Sequence, residues 1–223
     1  MNRVYAALIL FGYLLVSCQP SQPIPLPKLG NYDVVYDKKN GKEIIDSIYS
    51  TIPIFHYLNE DSIRVTNSDF KNKVWIVEFF FATCPTICPI MNQQLKKLVT
   101  QTDNYKKHIQ FLSFSIDPKK DTPSKLTEFK LRNGIKAKNW AFLTGDEATT
   151  HTLGIKHFLT FAGRDSLSAG GYAHSGSFTL VDKAGYVRGV YAVTNFDLTV
   201  NQEEYKRLLN DVNNLIKYEY HAK

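Results

Sequence analysis

The chain has 223 residues, of which 43% are hydrophobic and 13% are aromatic, and its formal net charge is +6 at pH 7. This length and composition fit one globular domain with terminal extensions and exclude a chain that is disordered throughout. The basic residues are spread along the sequence as pairs such as Lys96-Lys97 and Lys119-Lys120, which favours a solvated basic surface over a nucleic-acid-binding site, so no nucleic-acid partner is expected.

The N-terminus has the features of a signal peptide. Asn2-Arg3 is a short positive region, and Val4–Val16 is an apolar run of thirteen residues that is too short to span a bilayer comfortably. The run leads into Leu15-Val16-Ser17-Cys18, which resembles the lipobox of bacterial lipoproteins, in which the peptide is cut before the cysteine and the thiol is acylated. We therefore expect residues 1–17 to be a lipoprotein signal peptide and Cys18 to be lipidated. An uncleaved anchor, or an ordinary signal peptide with an incidental cysteine, is the alternative.

Residues 18–32 are expected to form a tether between the lipid and the domain. Four prolines lie within Gln19–Tyr32, which predicts a semi-extended spacer rather than a packed segment. The domain proper is then 33–223. We expect it in the cell envelope, lipid-anchored to a bacterial membrane and facing the oxidising periplasmic side. With Cys18 bound to lipid, Cys84 and Cys88 are the remaining cysteines and form one pair.

The domain begins with short strands and continues with alternating strands and helices. Strands separated by turn residues are predicted over Asp33–Tyr36, Ile44–Ile48, Ile52–Tyr57 and Ile63–Val65. Later strands are predicted over Val74–Phe81, Ile109–Ile116 and Trp140–Leu143. Helices are predicted over Pro85–Thr102, from a cap at Asp121-Thr122-Pro123 through Arg132, and over Asp146–Leu153.

The last part of the chain is predicted as a loop, a hairpin and a helix. Phe158–Tyr172 has a loop composition, and Ser177–Val181 with Tyr186–Val193 is typical of a β-hairpin. A closing amphipathic helix is indicated by apolar residues at helical spacing: Tyr205, Leu208, Leu209, Val212, Leu215 and Ile216. The whole order predicts an α/β fold with a central mixed β-sheet flanked by helices and with extra N-terminal strands. A strand that leads into a helix beginning with a dithiol is the thioredoxin-like arrangement.

The dithiol is the most informative feature of the sequence. Cys84 and Cys88 are four residues apart at the predicted junction of a strand and a helix. If the helix includes both, their Cβ atoms lie roughly 5–6 Å apart on one face, where two sulfurs can hold one metal ion or form a redox disulfide. The positive end of the helix favours thiolate, which binds soft metals and attacks disulfides. Two buried, inert cysteines are the alternative.

A third ligand would complete a site of this kind. Of the six histidines, His174 lies in the small-residue stretch Gly170–Gly176, just before an apolar strand. In a thioredoxin-like fold the loop before that strand lies against the dithiol, and glycines allow its backbone to approach closely. Ordinary polar surface is the alternative for His174. The other histidines lie in or beside predicted strands and helices, at His56, His108, His151, His157 and His221.

Three motifs resemble, in the same order, those of the Sco/SenC family of copper-binding proteins. They are Phe79–Pro89, Ser115–Pro118 with Asp121–Pro123, and His174-Ser175 followed by Phe178–Asp182. The resemblance spans roughly Ile52 to Ile216. It implies a thioredoxin-like fold, copper held by Cys84, Cys88 and His174, and delivery of copper to, or maturation of, the dinuclear copper site of cytochrome c oxidase. The lipobox departs from family members that are anchored by a full transmembrane helix, which leaves the mode of anchoring open.

The chemistry of these side chains agrees with a copper chaperone. Thiolates select Cu(I), and imidazole suits both Cu(I) and Cu(II). Three ligands leave an open side for transfer, whereas a structural zinc site would require four protein ligands. The expected partner is the copper-bearing subunit of cytochrome c oxidase or another copper protein, and the expected role is metal transfer rather than enzymatic turnover.

A thiol–disulfide oxidoreductase that reduces the cysteines of a copper acceptor is the alternative function. Two features count against a standard oxidoreductase: three residues separate Cys84 from Cys88 where thioredoxins have two, and no proline adjoins His174. A peroxide-reducing or redox-sensing relative is a third, weaker alternative.

Two carboxylates are secondary candidates. Asp117 ends a predicted core strand, where it could orient His174 or steer copper, and a turn or helix-capping role is equally supported. Glu78 is predicted to share one strand face with Val74, Ile76 and Phe80. A buried carboxylate there could accept a proton from a cysteine, and a solvent-facing position is the alternative.

Overall fold

A computed structural model of the chain describes residues 25–39, 42–168 and 170–220. The predicted signal peptide 1–17, Cys18 and the first part of the predicted tether lie outside the described residues. Within the described ranges, no helix has the length and apolar character needed to cross a membrane.

The described chain contains a long central sheet, two small hairpin sheets and flanking helices. The strands are β1 (Tyr32–Lys39), β2 (Lys42–Tyr49), β3 (His56–Asn59), β4 (Arg64–Thr66), β5 (Val74–Phe80), β6 (Ile109–Ser115), β7 (Trp140–Thr144), β8 (Ala162–Arg164), β9 (Tyr172–His174), β10 (Ser177–Val181) and β11 (Val187–Ala192). The helices are α1 (Ile87–Gln101), α2 (Pro123–Arg132), α3 (Glu147–Lys156) and α4 (Gln202–Tyr220).

The central sheet has the strand order β11-β10-β5-β6-β7-β3-β4. Strands β5, β6 and β7 are parallel, whereas β10 pairs with β5, and β3 pairs with β7, in the antiparallel sense. Every residue of β5 and β6 is buried, which is why β5 is almost continuously apolar instead of alternating. The three polar residues of β6 are buried as well: Gln110, Ser113 and Ser115. The prediction of a mixed sheet flanked by helices is confirmed.

Aromatic packing around Phe114 forms the centre of the core. The ring centroid of Phe114 lies 5.4 Å from that of Phe55, 5.0 Å from that of Tyr57 and 5.4 Å from that of Phe79. Phe158 adds a fourth ring at 5.6 Å. Such aromatic pairs stabilise the folded protein by more than the burial of their apolar area alone would give. Here they connect β3, β5 and β6 with the segment after α3.

The N-terminal strands differ in extent from the prediction. β1 and β2 are longer than expected and pair only with each other, from Tyr32 with Tyr49 to Lys39 with Lys42. The strand predicted over Ile52–Tyr57 begins only at His56. Ile52 and Phe55 are buried in the core, so their apolar character reflects packing of an irregular segment rather than strand pairing.

The structure also corrects the predicted helix after β5 and the predicted loop after α3. α1 begins at Ile87, two residues after the predicted start at Pro85. Cys84 therefore lies three residues before the helix, and the condition that the helix includes both cysteines is not met. A residue that precedes proline is disfavoured in the helical region, and Pro85 follows Cys84 directly. The predicted loop Phe158–Tyr172 contains β8, which pairs with β9 from Ala162↔His174 to Arg164↔Tyr172. Strands of three residues are too short to produce a recognisable alternation.

We predict that Phe114→Ala lowers the free energy of unfolding by about 3–5 kcal/mol, because it leaves a cavity among four aromatic rings. Leu131→Ala is the control, since Leu131 is 76% exposed and should change stability by less than about 0.5 kcal/mol. Chemical denaturation followed by circular dichroism measures both. Equal effects of the two substitutions would contradict this assignment of the core.

Candidate metal centre

Both cysteines lie between the end of β5 and the first turn of α1. The backbone N–H of Cys84 donates to the Phe81 carbonyl at 3.1 Å, which closes a turn. Cys88 lies in the first turn of α1 and is 2% exposed, whereas Cys84 is half-buried. Both are free thiols. The turn therefore presents one sulfur towards the surface and holds the other against the core.

His174 is the last residue of β9 and reaches both sulfurs. Its Nε2 lies 3.0 Å from Cys88 Sγ and 3.9 Å from Cys84 Sγ. The three ligand atoms all lie within 4.8 Å of one another. Metal bonds to sulfur and nitrogen are roughly 2.0–2.3 Å long, so one ion can contact all three atoms after small adjustments. The structure thus brings together the three residues that the sequence singled out.

The two thiols have opposite electrostatic environments. A hydrogen bond from the Cys88 thiol, with a further contribution from His174, holds the pKa of Cys84 well below that of an ordinary thiol. Burial, followed by the proximity of Cys84, raises the pKa of Cys88. Of the two sulfurs, the half-buried Cys84 is therefore the one favoured as thiolate, and the buried Cys88 is the one favoured as thiol. This is the state expected of a site with one reactive sulfur.

Asp117 is buried, and its carboxylate bonds Tyr172 rather than one of the three grouped residues. Its carboxylate Oδ1 accepts a hydrogen bond from the Tyr172 hydroxyl at 3.2 Å, and its backbone carbonyl accepts from Asp121 at 2.9 Å. The hydrogen bond from Asp121 closes a turn at Asp117, which is the turn role that the sequence left as an alternative. Through Tyr172, two residues before His174 on β9, Asp117 also contacts the strand that carries the imidazole. Its role in orienting His174 stays a prediction.

Two further residues support the site and were not assigned this role from the sequence. Asp121 is 1% exposed, and its Oδ2 accepts hydrogen bonds from the Ala82 backbone at 3.0 Å and from the Ser115 hydroxyl at 2.6 Å. It thereby fixes the turn that leads to Cys84. Tyr172 joins β9 to Asp117 and to Glu147 on α3. In the sequence, the only sign of this role of Tyr172 is its spacing of two residues from His174, which places both side chains on one face of a strand.

Glu78 lies in the interior, which excludes the solvent-facing alternative. It is 1% exposed, and the Ser113 hydroxyl donates to its Oε1 at 2.5 Å. Burial raises the pKa of Glu78 to about 7. A carboxyl with this pKa can change protonation near neutral pH, which keeps the prediction of a proton-accepting role open.

The remaining histidines do not join this group in the described part of the chain. His151 Nε2 instead donates to the Ile116 carbonyl at 3.1 Å. His56 is exposed at the start of β3, and His221 lies outside the described residues.

Comparisons with known proteins agree with the fold and with the position of this group. The model of the family described as SCO1/SenC matches residues 47–210. A curated relative, the SCO1 protein homolog of Bacillus subtilis, is 30% identical over 152 residues, which cover 66% of this chain and 76% of the relative.

Two solved structures are similar at 28% identity. A SCO1/SenC family lipoprotein from Bacillus anthracis has a TM-score of 0.65, with 74% of this chain and 94% of that chain covered. BsSco, described as a member of the Sco family of cytochrome c oxidase assembly proteins with a disulfide switch, has a TM-score of 0.62, with 74% and 92% covered. The predicted thioredoxin-like fold is confirmed. Because the family match extends from β2 into α4 and includes both cysteines and His174, this chain belongs to the SCO1/SenC family.

Proposed function

We propose that this protein is a copper chaperone that binds one copper ion through Cys84, Cys88 and His174. The convergence of two sulfurs and one imidazole nitrogen within 4.8 Å carries the proposal. Copper is the cargo of such a protein rather than a catalytic cofactor, and the protein's task is to take up, hold and release it.

The donor atoms suit copper better than other common metals. Two thiolates prefer soft Cu(I), and the imidazole is acceptable to Cu(I) and Cu(II) alike. A structural zinc site would require a fourth protein ligand, and the group found among the described residues has three members. Cys84 is the more exposed of the two cysteines, so an incoming ligand from another protein would approach the ion from the side of Cys84.

Uptake of copper requires the loss of a proton. Metal ligands bind as thiolates, and Cys84 already has a lowered pKa whereas the pKa of Cys88 is raised. Copper therefore meets the Cys84 thiolate first, and the Cys88 proton leaves as the second bond forms. Glu78 is a candidate acceptor for that proton, since its pKa of about 7 matches the task.

Membership of the family supports a destination for the copper. The motifs resemble those of Sco/SenC proteins, and BsSco is described as belonging to a family of cytochrome c oxidase assembly proteins. We infer delivery to, or maturation of, the dinuclear copper site of cytochrome c oxidase. The partner is then the copper-bearing subunit of that oxidase or another copper protein.

The N-terminal motif supports a location at the membrane. The B. anthracis relative is described as a lipoprotein, which supports lipidation of Cys18 after removal of residues 1–17. Residues 18–32 then tether the domain 33–223 to a bacterial membrane on the periplasmic side. This arrangement places the copper group outside the cytoplasm, near membrane-bound acceptors.

Thiol–disulfide exchange is the second candidate function, and the asymmetry of the two thiols favours it. A half-exposed thiolate is a nucleophile, and a neighbouring buried thiol can resolve the mixed disulfide that it forms. Both roles require the same reduced pair and can serve one assembly pathway. Turnover of a protein disulfide at rates typical of oxidoreductases would move this function to first place.

We predict that His174→Ala lowers the affinity for Cu(I) at least about 100-fold, since loss of a direct ligand should exceed the effect of removing an outer-shell partner. The variant should still form the Cys84–Cys88 disulfide. Competition with a colorimetric Cu(I) chelator measures the affinity. His56→Ala is the matched control, because His56 is exposed and lies outside the group. Unchanged copper binding in His174→Ala would show that His174 is not a copper ligand.

Copper binding should also require the reduced cysteine pair. After oxidation of Cys84 and Cys88 to a disulfide, the stoichiometry of bound copper should fall from one to near zero, because a disulfide offers no thiolate. Reduction should restore it. Metal analysis after desalting measures the ratio, and full retention of copper by the oxidised protein would contradict the site.

Alkylation of Cys84 by iodoacetamide should proceed at a nearly constant rate from pH 6 to pH 8. Its lowered pKa keeps it as thiolate throughout this range, whereas an ordinary thiol with a pKa of about 8.5 reacts roughly tenfold faster per pH unit. Cys88 should stay unmodified until the solution is more alkaline, since its pKa is raised. Mass spectrometry of quenched samples measures both rates. A tenfold rise per pH unit at Cys84 would contradict the assignment.

A further inference from the structure

The hairpin of β1 and β2 stands apart from the central sheet. Within the described ranges, the two strands pair only with each other, from Tyr32 opposite Tyr49 to Lys39 opposite Lys42. An isolated two-stranded hairpin is marginally stable in water, and this one exposes apolar side chains instead of burying them. Exposed apolar surface of this kind marks a contact with another protein or with a membrane.

The two faces of the hairpin differ in charge. Residues directly opposite each other in an antiparallel pair lie on the same face, so the register of β1 with β2 defines both faces. The apolar face carries Tyr32, Val34, Tyr36, Ile45, Ser47 and Tyr49, and it ends at the pair Lys38–Glu43. The acidic face carries Asp33, Val35, Asp37, Ile44, Asp46 and Ile48. The hairpin is therefore amphipathic, with three carboxylates on one side and three tyrosines on the other.

The apolar face is also the one with the largest exposed side chains. Tyr36 is 78% exposed, and Ile45, directly opposite it, is 68% exposed, the two highest values among the apolar residues of the hairpin. Tyrosine combines an apolar ring with a polar hydroxyl, and it is enriched where a membrane meets water. Carboxylates favour water because desolvation of a charge is costly. This division suits a hairpin that lies on a lipid surface with one face down.

The chain just before the hairpin is fastened to the domain. The Leu29 N–H donates to the Val187 carbonyl at 2.8 Å. The Arg188 guanidinium donates to the carbonyls of Leu26 and Pro27, and Arg188 itself is only 8% exposed. Residues 26–29 of the predicted tether are therefore held on β11, close to the start of β1.

This attachment limits how far the hairpin can lie from a lipid anchor. From Cys18 to Leu26 the chain spans at most about 29 Å, even when fully extended. β1 begins at Tyr32, shortly after the fastened segment. If Cys18 carries a lipid, the hairpin lies beside the membrane surface, which makes lipid the nearest candidate to cover its apolar face.

The base of the hairpin lies at the sheet edge opposite the metal group. The Ile52 N–H, shortly after β2, donates to the Gly185 carbonyl at 2.9 Å in the turn between β10 and β11. Val181 at the end of β10 pairs with Trp75 near the start of β5, whereas Cys84 follows the other end of β5. The seven residues of β5 span roughly 20 Å. A membrane contact at the hairpin therefore leaves the edge with the metal group free.

We propose that the apolar face of the β1–β2 hairpin lies in the headgroup region of the membrane that carries the lipid anchor. The tyrosine rings and aliphatic side chains of this face contact lipid, and the carboxylates of the acidic face stay in water. The hairpin is then a second membrane contact that fixes the orientation of the domain. The presence of the anchor rests on the proposed function, in which Cys18 is lipidated, whereas the choice of face rests on the strand register.

Tryptophan reporters on the two faces test the proposal. Tyr36→Trp places the reporter on the apolar face, and Asp37→Trp is the matched control at the next position, on the acidic face. A hexahistidine tag replaces residues 1–18 and binds the chain to vesicles of phosphatidylcholine and phosphatidylglycerol that contain a nickel-chelating lipid. Emission is measured with and without phospholipid brominated near the headgroup. The unsubstituted protein supplies the background from the buried Trp75 and Trp140.

We expect brominated lipid to reduce the emission of Tyr36→Trp by about half or more and to leave that of Asp37→Trp nearly unchanged, because only the apolar face reaches lipid. Absence of quenching in Tyr36→Trp would overturn the proposal. Equal quenching in both variants would also overturn it, since the tag alone then explains the proximity. A blue shift of Tyr36→Trp emission at rising protein concentration without vesicles would assign the face to a second copy of the chain instead.

A charge added to either face provides an independent check. In the Tyr36→Trp background, Ile45→Asp places a carboxylate directly opposite the reporter and should abolish most of the quenching, because the charge would lose hydration at the lipid. Ile44→Asp adds the same charge to the acidic face and should leave the quenching largely intact. Circular dichroism verifies the fold of both variants. Equal loss of quenching in two folded variants would contradict the assignment of the face.

Two further measurements separate this inference from the proposed function. Mass spectrometry of the chain from bacterial membranes shows whether Cys18 is acylated, and titration with Cu(I) shows whether copper binds. If Cys18 is acylated and copper binds but Tyr36→Trp is not quenched, the inference about the hairpin is wrong and the proposed function stands. If Tyr36→Trp alone is quenched but Cys18 carries no lipid, the proposed location fails and the affinity of the apolar face for lipid stands.

Discussion

The pairing of β5 with β6 on one side and with β10 on the other is the constraint on which the site depends. Since β5 and β6 are parallel, the segments that follow them leave the sheet at the same edge. β10 is antiparallel to β5, with Thr179 opposite Val77, so the chain enters β10 at that edge too. Strand direction thus brings Cys84, Asp117 and His174, which are far apart in sequence, to the same edge of the sheet.

Buried polar groups hold this edge in position. Asp121 connects the turn after β5 to the end of β6, and Tyr172 connects β9 to Asp117 and Glu147. A site that binds metal with three ligands needs its donors placed before the ion arrives, because each unplaced donor costs conformational entropy on binding. The contacts of Asp121 fix the turn that leads to Cys84, and an orienting role of Asp117 towards His174 stays a prediction.

The difference between the two cysteines follows from their places in the same turn. Pro85 keeps Cys84 out of the helix and near the surface, whereas Cys88 is carried into the interior by the first turn of α1. One thiol is consequently reactive and the other protected, and their pKa values move in opposite directions. This asymmetry suits both stepwise metal uptake and thiol exchange.

The amino-acid sequence by itself indicated most of the element order, the mixed sheet and the Cys84–Cys88 pair, because apolar periodicity and residue spacing are local signals. His174 was singled out by its place before an apolar strand and by the resemblance of the motifs to those of the Sco/SenC family. It did not determine how far Cys84 lies from the start of the helix, that β8 in the predicted loop pairs with β9, or that Glu78 is buried. Those features depend on backbone pairing and packing between distant segments, and so do the contacts of Asp121 with Ala82 and of Tyr172 with Asp117. A short strand or a buried carboxylate has no pattern of its own, and only the tertiary structure supplies its partner.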